Sequence, residues 1–348
     1  MKKMRIPALL LCGALAVSGF LGCGKNIDKT AVVATAGEKE VTLGLANFAA
    51  RFQQAQYDDF YVAYMGQDVW RTDMYGNGQT MEDTMKANVL ESLHAMYALE
   101  ANMADYGVEI TDADKAAIAE AAEKFMSSNS AEAIEALGAS NEIVEEYLTL
   151  LTVQAKMYDE IIKDVDTNVS DEEANTSAYS YVYISKSSYT DEEGNTASYT
   201  DEELELLAKT VEELEKDAKA DSLETAAETL GYTVSTGTYN ADSSVNEEVG
   251  AALAAMKDEE IQVVELDNAY YVLRMDAVVD ADATAAKRES IISQRESDLY
   301  VEVVEAYQEA VTWTVDEKLW EKVSFDNLFT THLPSTETVE DTASTEAQ

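Results

Sequence analysis

The segment Ala178-Tyr-Ser-Tyr-Val-Tyr-Ile184 decides the fold of this chain. Its residues alternate with a period of two and are rich in aromatic and β-branched side chains, which is typical of a β-strand. A turn-rich insert follows at 187–200, and a strand pair is predicted at 261–266 and 269–275 around Asp267-Asn268. The middle of the chain is therefore predicted to be mixed α+β. Between the strands we predict helices at 201–219, 223–230 and 245–256 and a strand at 232–239.

Helical patterns flank this mixed segment on both sides. From Leu43 onwards apolar residues recur at spacings of three and four, and Thr42 is placed to cap the helix. Thr80, with Asp83 three residues later, forms an acidic variant of the capping box. The sequence thus predicts a helical domain that a mixed domain interrupts. The predicted helices lie at 43–65, 81–106, from 111 onwards, at 141–163 and at 283–311.

The composition excludes several classes of function. The chain has 348 residues with 68 Asp+Glu against 24 Lys+Arg, a formal net charge of −44. Nucleic-acid phosphates would be repelled, so we predict no nucleic-acid partner. Adhesion to anionic lipid through a basic patch is excluded for the same reason. A hydrophobic fraction of 46% nevertheless indicates a folded protein.

Residues that commonly hold metals or attack substrates are scarce. The two histidines are His94 and His332, and the two cysteines are Cys12 and Cys23. This leaves no His-rich metal site, no Ser-His-Asp or Cys-His constellation and no disulfide framework. We therefore predict neither a metal nor a cofactor.

The N-terminus has the pattern of a secretory signal. Lys2, Lys3 and Arg5 form a basic region, and the following run at 6–22 is uncharged and mostly apolar. This run is short for a membrane-spanning helix. We interpret residues 1–22 as a signal peptide.

The end of that run, Phe20-Leu21-Gly22-Cys23-Gly24, resembles the lipobox of bacterial lipoproteins. It departs from the usual motif at Phe20, where Leu is common, and at Leu21, where Ala or Ser is common. The resemblance implies that Cys23 carries a diacylglycerol thioether and becomes the mature N-terminus. The protein would then be held on the extracytoplasmic face of the cell membrane, with residues 23–30 as a tether. The alternative is a plain signal peptide with an incidental cysteine.

The order of elements carries a further resemblance. Ala31-Val-Val-Ala-Thr-Ala-Gly-Glu-Lys-Glu-Val-Thr-Leu43, Tyr106-Gly-Val-Glu-Ile-Thr-Asp-Ala-Asp114 and the segment 178–279 occur in the order found in PrsA- and SurA-type foldases. In that family 178–279 would be a parvulin-like domain, and the helix after it would pack on the N-terminal helices. The resemblance implies an α+β fold with a mainly helical N-terminal chaperone domain, an inserted parvulin-like domain and a completing C-terminal helix. The implied parts are 31–174, 175–282 and 283–330, followed by a disordered tail at 331–348.

Parvulins carry a pair of facing histidines beneath a proline pocket. By resemblance, the matching positions are Tyr181 and Tyr271, and Val249, Ala254 and Met256 would line the pocket. Replacement of both histidines implies that isomerase activity is weak or lost. A tyrosine can still donate a hydrogen bond, so an active prolyl isomerase with two tyrosines is the first alternative.

Methionine and aromatic residues are frequent at 52–103, which is consistent either with ordinary core or with a surface for client polypeptides. We hypothesise a membrane-anchored extracytoplasmic foldase or chaperone that binds unfolded or newly exported polypeptides. The second alternative is a solute-binding lipoprotein of a transporter, a class with two lobes of regular strand–helix alternation. The sequence gives no basis for choosing an oligomeric state.

Overall fold

The computed structural model describes residues 14–18, 27–190 and 194–332. The chain divides into two compact units. We call the first the helical unit, which comprises 1–164 and 298–348, and the second the mixed unit, which comprises 165–297. The predicted α+β class, with a mixed part inserted into a helical one, is confirmed. The unit boundaries lie some residues outside the predicted limits of 175 and 282.

The elements alternate between long helices and short antiparallel strands. The helices are α1 (Leu43–Met65), α2 (Met81–Ala101), α3 (Asp112–Ser128), α4 (Ala131–Leu137), α5 (Asn141–Ile161), α6 (Asp171–Ala174), α7 (Asp201–Ala220), α8 (Leu223–Thr229), α9 (Glu247–Ala255), α10 (Ala281–Ala310) and α11 (Glu317–Trp320). The strands are β1 (Ala14–Ser18), β2 (Val32–Ala36), β3 (Lys39–Thr42), β4 (Ser177–Ser185), β5 (Tyr189–Thr190), β6 (Thr196–Ala197), β7 (Ser235–Tyr239), β8 (Ile261–Glu265), β9 (Ala269–Ala277), β10 (Trp313–Val315) and β11 (Leu328–His332).

Local capping fixes where the helices begin. The side chain of Thr42 accepts a hydrogen bond from the backbone N–H of Leu45, and the capping box of Thr80 and Asp83 is formed in both directions. The helix predicted at 81–106 ends earlier, because the side-chain amide of Asn102 donates to the carbonyl of Ala98 at 2.8 Å. A short 3-10 turn, Met103–Tyr106, follows.

The core of the helical unit surrounds α1. Residues from Leu43 to Phe52 along this helix are all buried, so both sides of its first half are covered. α2 and α5 pack against it, and residues of α10 from Leu299 onwards pack on Leu99 of α2 and Met157 of α5. The last part of the long helix therefore completes the helical unit, whereas 281–297 belongs to the mixed unit.

Two C-terminal strands were not predicted. β10 pairs with β2, and Trp313 of β10 stacks on His94 with ring centroids 4.8 Å apart. β11 pairs with β1. Thr331 and His332, predicted to start a disordered tail, lie instead in β11, because strand pairing over five residues holds this end of the chain.

The mixed unit contains one four-stranded sheet in the order β7-β4-β9-β8, with all pairs antiparallel. α7 and α8 cover one face, where Leu214 and Leu223 pack on Val182 and Val272. α9 covers part of the other face. In the described residues all paired strands are antiparallel, which differs from the two-lobed pattern expected for a solute-binding lipoprotein.

The predicted lipidation site lies outside the description of the structure. Cys23 and its neighbours at 19–26 are not described, whereas 14–18 of the predicted signal peptide form β1. Among the helices of the described residues, none has the length and apolarity needed to cross a bilayer.

Candidate functional site

A row of tyrosines lies on one face of the central strands of the mixed unit. β4 pairs with β9 in a register that places Tyr179 opposite Met275 and Tyr183 opposite Tyr271. Because successive residues of a strand point to opposite faces, Tyr179, Tyr181 and Tyr183 share a face. We call Tyr179, Tyr181, Tyr183 and Tyr271 the tyrosine face.

The structure brings the two predicted site residues together. The ring centroids of Tyr181 and Tyr271 are 5.8 Å apart, and Tyr183 meets Tyr271 edge-on at 5.2 Å. Tyr179 continues the row at 5.7 Å from Tyr181. Tyr183 is 48% exposed at one end and Tyr179 is buried at the other, so the row runs from solvent into the unit.

Gly237 on β7 makes room for the inner end of this row. A Cβ atom at this position would lie 2.7 Å from Cζ of Tyr179 and 2.8 Å from its hydroxyl oxygen. Such distances are too short for non-bonded atoms, so only glycine lets the Tyr179 ring cross over the neighbouring strand without a shift. Gly237 therefore has a steric role beside Tyr179.

α9 borders the tyrosine face with a small apolar stripe. Asn246 caps the helix through its side-chain oxygen, which accepts from the N–H groups of Glu248 and Val249. Val249 and Met256, both predicted for the pocket, are buried beside the tyrosine row.

Ala254, predicted with them, is exposed on α9. Five residues correspond to about 500° of helical rotation at 3.6 residues per turn, which places Ala254 on a different side of the helix from Val249. Ala252 and Leu253 fill that place instead. The prediction for Ala254 as a pocket residue is therefore corrected.

Burial moves the pKa of two phenols of the tyrosine face further above neutral pH. Desolvation raises the pKa of Tyr271 and of Tyr179 above the ordinary value of 10.0, and the neighbouring tyrosines add to the effect. Both side chains therefore remain neutral hydrogen-bond donors at neutral pH. Rotation about an X–Pro bond needs no proton transfer or covalent step, only a dry apolar surface and oriented polar groups. The tyrosine face supplies rings and neutral donors of this kind.

The opposite face of the same strands carries a polar cluster that the sequence did not predict. Arg274 donates to both carboxylate oxygens of Glu224, at 2.6 and 2.7 Å, and to Asp276 at 2.6 Å. The hydroxyl of Ser180 donates to Asp276 at 2.5 Å. Arg274 also donates to the hydroxyl oxygen of Ser180 at 3.2 Å, so the cluster links β4, β9 and α8, which indicates a structural role.

A second candidate surface lies at the end of α1 in the helical unit. Six exposed apolar or aromatic side chains lie close together in the sequence, between residues 57 and 75, and we call them the aromatic patch. They are Tyr57 at 40%, Phe60 at 57%, Tyr64 at 77%, Met65 at 44%, Met74 at 45% and Tyr75 at 76% exposure.

Helical spacing and ring contacts organise the first half of the patch. Tyr57, Phe60, Tyr61 and Tyr64 follow at three, four and seven residues, so they share one side of α1. Tyr61 stacks on Tyr57 at 5.5 Å and meets the buried Trp70 edge-on at 5.6 Å. The exposed ring of Tyr57 is therefore connected through Tyr61 to the buried ring of Trp70.

A buried polar network holds Trp70 in place. Its indole N–H donates to Asp58 at 2.6 Å, and the backbone N–H of Phe329 donates to the same carboxylate at 2.7 Å. Gln54 also donates to Asp58, and it accepts from Arg51 at 2.6 Å. Desolvation raises the pKa of Asp58, although these donors and Arg51 oppose that effect. Burial likewise lowers the pKa of Arg51 to about 10.

The other half of the patch lies in a loop that one carboxylate organises. Asp73 accepts hydrogen bonds from the backbone N–H groups of Tyr75, Asn77 and Gly78, the last at 2.8 Å. These bonds lower the pKa of Asp73. The loop therefore presents Met74 and Tyr75 from a defined turn.

Metal chemistry finds no support in the structure. The 14–18, 27–190 and 194–332 segments contain no grouping of three or more His, Cys, Asp or Glu suited to a metal ion. The ring of His94 stacks on Trp313.

Comparison with known proteins bears on the mixed unit. Residues 185–288 match the family model of the PPIC-type PPIASE domain. No curated relative matches the sequence. The chain is also similar to several solved structures, all at low identity.

The foldase protein PrsA of Lactococcus lactis has 16% identity and a TM-score of 0.36, over 84% of this chain and 99% of that one. The peptidylprolyl isomerase PrsA of Bacillus cereus has 16% identity and a TM-score of 0.31, over 70% and 91%. That of Bacillus anthracis has 16% identity and a TM-score of 0.27, over 63% and 96%. At these TM-scores the likeness by itself decides nothing about this chain.

The family match agrees with the resemblance drawn from the order of strands and helices. It begins at Ser185, the last residue of β4, and spans β5 to β9, with α7, α8 and α9 between them, and the beginning of α10. The resemblance to a parvulin domain is confirmed for the segment 185–288 of the mixed unit, which matches the PPIC-type peptidyl-prolyl isomerase domain model.

Proposed function

We propose that this protein is a membrane-anchored extracytoplasmic foldase that holds unfolded or newly exported polypeptides, with a PPIC-type domain of weak or lost isomerase activity. The observation that carries the proposal is the aromatic patch. Within it the exposed rings of Phe60 and Tyr64 lie 4.8 Å apart, and grouped exposed apolar side chains of this kind mark surfaces that bind partners. The patch suits partners that expose apolar side chains and that differ from one another in sequence and shape.

The chemistry of the patch favours unfolded chains over one fixed partner. Its two methionines adapt to partners of different shape, and its rings offer large apolar area. The net charge of −44 keeps the protein soluble around this surface and favours basic segments of clients. The network around Trp70 and Asp58 holds the inner rings in place, so little order is lost on binding.

The patch is tested by suppression of client aggregation, measured by light scattering of reduced, denatured lysozyme. Phe60 and Tyr64 are replaced by serine together, which removes two exposed rings of the patch. We expect at least a twofold loss of suppression at equimolar ratio.

The matched control is Leu206→Ser, because Leu206 is 63% exposed on α7, away from the patch in sequence. It should suppress aggregation as the unchanged protein does. Equal suppression by the double variant, or no suppression by the unchanged protein, would contradict the proposal.

The tyrosine face bears on the isomerase question. Tyr181 and Tyr271 occupy the positions that resemblance assigns to the family's histidines, and their rings are adjacent. In a protease-coupled proline-peptide assay we expect a rate close to background. A rate well above background that Tyr271→Phe abolishes would favour the alternative, an active isomerase that uses tyrosine hydroxyls.

The anchor is supported by the basic region, the uncharged run and Cys23. Two acyl chains bind a membrane firmly, at about 0.8 kcal/mol for each buried methylene. Cys23→Ser should move the protein from the membrane fraction to the soluble fraction, while Cys12→Ser should leave it in place. Unchanged membrane retention of Cys23→Ser would refute the lipid anchor.

A further inference from the structure

The strand β1 lies in a groove of the helical unit. The groove is formed by β11, by the cluster around Phe48 and by Asn129. The strand pairs antiparallel with β11 over five residues, from Ala14 opposite His332 to Ser18 opposite Leu328. Its residues belong to the uncharged run that we propose is removed before Cys23. The structure therefore shows the groove in an occupied state.

Leu15 is the centre of this contact. Its side chain is 7% exposed and packs in a cluster with the buried rings of Phe48 and Phe329. Val17, two residues on, packs against the same cluster from a partly buried position. The groove thus accepts apolar side chains at every second residue of an extended segment.

Polar groups at the groove hold the backbone of the strand. The N–H of Leu15 donates to the side-chain oxygen of Asn129 at 2.7 Å, and the carbonyl of Leu15 accepts from the N–H of Ser130 at 3.3 Å. The hydroxyl of Thr330 donates to the carbonyl of Ala16 at 3.4 Å. Asn129 is itself held, because its amide donates to the carbonyl of Phe125 at 2.6 Å.

Removal of β1 would leave these groups without partners. The edge of β11, the oxygen of Asn129 and the apolar socket of Leu15 would all become available. An unpaired strand edge beside an exposed apolar socket favours a replacement strand, which restores the backbone hydrogen bonds and covers the apolar surface. Addition of an extended peptide to an exposed edge is a known mode of recognition, in which backbone bonds give affinity and alternate side chains give selectivity.

We propose that in the mature protein this groove binds extended apolar segments of exported polypeptides, by adding them as a strand to β11. The chain's own segment Ala-Leu-Ala-Val-Ser shows the chemistry of the occupant: uncharged, with aliphatic side chains two residues apart. In the uncleaved chain β1 competes at high effective concentration, so the groove is closed until the leader is removed. The proposal rests on the proposed removal of residues 1–22.

The test uses the acetylated, fluorescently labelled peptide Ala-Leu-Ala-Val-Ser as its probe, read by fluorescence anisotropy. It compares the mature protein isolated from membranes and reconstituted in lipid nanodiscs with the uncleaved full chain in the same nanodiscs. We expect saturable binding to the mature protein and at least tenfold weaker binding to the uncleaved chain.

Two altered peptides serve as controls, because they leave the fold of the protein untouched. Leucine replaced by aspartate puts a charge into the socket, and N-methyl-leucine removes the N–H that Asn129 accepts. Each should bind at least tenfold more weakly. Equal binding of all three peptides, no binding to the mature protein, or equal binding to the uncleaved chain would overturn the proposal.

Mass spectrometry of the isolated protein separates this proposal from the proposed function. A mass that retains residues 1–22 would refute leader removal, and with it the anchor and the mature groove. A mass consistent with lipidated Cys23, together with absent peptide binding, would refute the groove alone.

Discussion

The aromatic patch of the helical unit and the tyrosine face of the mixed unit present aromatic rings in different ways. The patch stands on the end of a helix and a loop, and its outer members, such as Tyr64 and Tyr75, are more than three-quarters exposed. The tyrosine face lies on paired strands, where the register of β4 and β9 fixes each ring against the next. Rings on a helix end can tilt to suit a partner, whereas rings on a sheet keep their spacing.

The supports beneath the two surfaces also differ. Under the patch, Trp70 is held by Asp58, a carboxylate with no exposed surface that reaches a backbone 271 residues away in sequence. Behind the tyrosine face lies an apolar core with Val182 and Val272, and charges occur at its edge. The patch therefore depends on a buried carboxylate, whereas the tyrosine face depends on close backbone packing.

The largest expected effect on stability comes from replacing Trp70, the buried ring beneath the patch. Trp70→Ala should lower the free energy of unfolding of the helical unit by about 3–5 kcal/mol, because a fully buried ring is lost and a cavity is left. Thermal unfolding followed by circular dichroism measures this change. Trp70→Phe is the matched variant, since it keeps most of the ring but removes the donor to Asp58, and it should lose about 1–3 kcal/mol. Two variants as stable as the unchanged protein would contradict the role of Trp70.

A smaller effect is expected where the tyrosine face depends on backbone packing. Gly237→Ala places a Cβ against the ring of Tyr179, so that the ring must move within its row, and we expect a loss of about 1–2 kcal/mol in the mixed unit. Chemical denaturation followed by tyrosine fluorescence measures it. Gly250→Ala is the control, because the nearest atom to its added Cβ is 3.2 Å away and alanine favours the helix. It should be neutral or slightly stabilising, and a reversed order of the two variants would refute this account.

The buried carboxylate beneath the patch and the polar cluster on the opposite face of the tyrosine strands should respond to pH with opposite signs. The pKa of Asp58 is raised above 3.8 in the folded protein by desolvation, so the folded state binds a proton more readily than the unfolded state. Stability relative to Asp58→Asn should therefore increase as the pH falls through the folded pKa. The pKa of Glu224 is lowered below 4.5 by the hydrogen bond from Arg274, so stability relative to Glu224→Gln should decrease as the pH falls through that range.

Urea denaturation of the unchanged protein and both variants across this pH range measures the two trends. Each variant lacks one titrating carboxyl, so the difference from the unchanged protein isolates that group. Trends of the same sign in both pairs would show that one of the two environments has been assigned wrongly.

The smallest effect is expected at the polar cluster behind the tyrosine face. Arg274→Lys loses the paired hydrogen bonds to Glu224 but keeps the charge, and partly exposed pairs of this kind contribute about 0.5 kcal/mol. Differential scanning calorimetry of the mixed-unit transition measures the shift. A loss of more than about 2 kcal/mol would show that the cluster stabilises the sheet far more than a surface pair does.

Much of the fold was determined by short-range features of the sequence. The caps at Thr42 and Thr80 set helix starts within three residues, and the alternation from Ala178 to Ile184 placed three tyrosines on one face of a strand. The adjacency of Tyr181 and Tyr271 was implied by resemblance, and the structure brings the two rings together. The signal in Ser180-Tyr-Val-Tyr183 could also have identified Tyr183, which was not predicted.

Other features were decided only by the tertiary structure. β10 has only three residues and β11 ends in three polar ones, so neither shows a clear alternation, and they become strands by pairing with β2 and β1. Ala254 was assigned to the pocket by resemblance, whereas the rotation of α9 places Leu253 in the apolar cluster beside the tyrosines. Capping and periodicity act between near neighbours and can be read along the chain. Strand pairing, the partners of Asp58 and the space left by Gly237 depend on residues brought together from distant parts of the sequence.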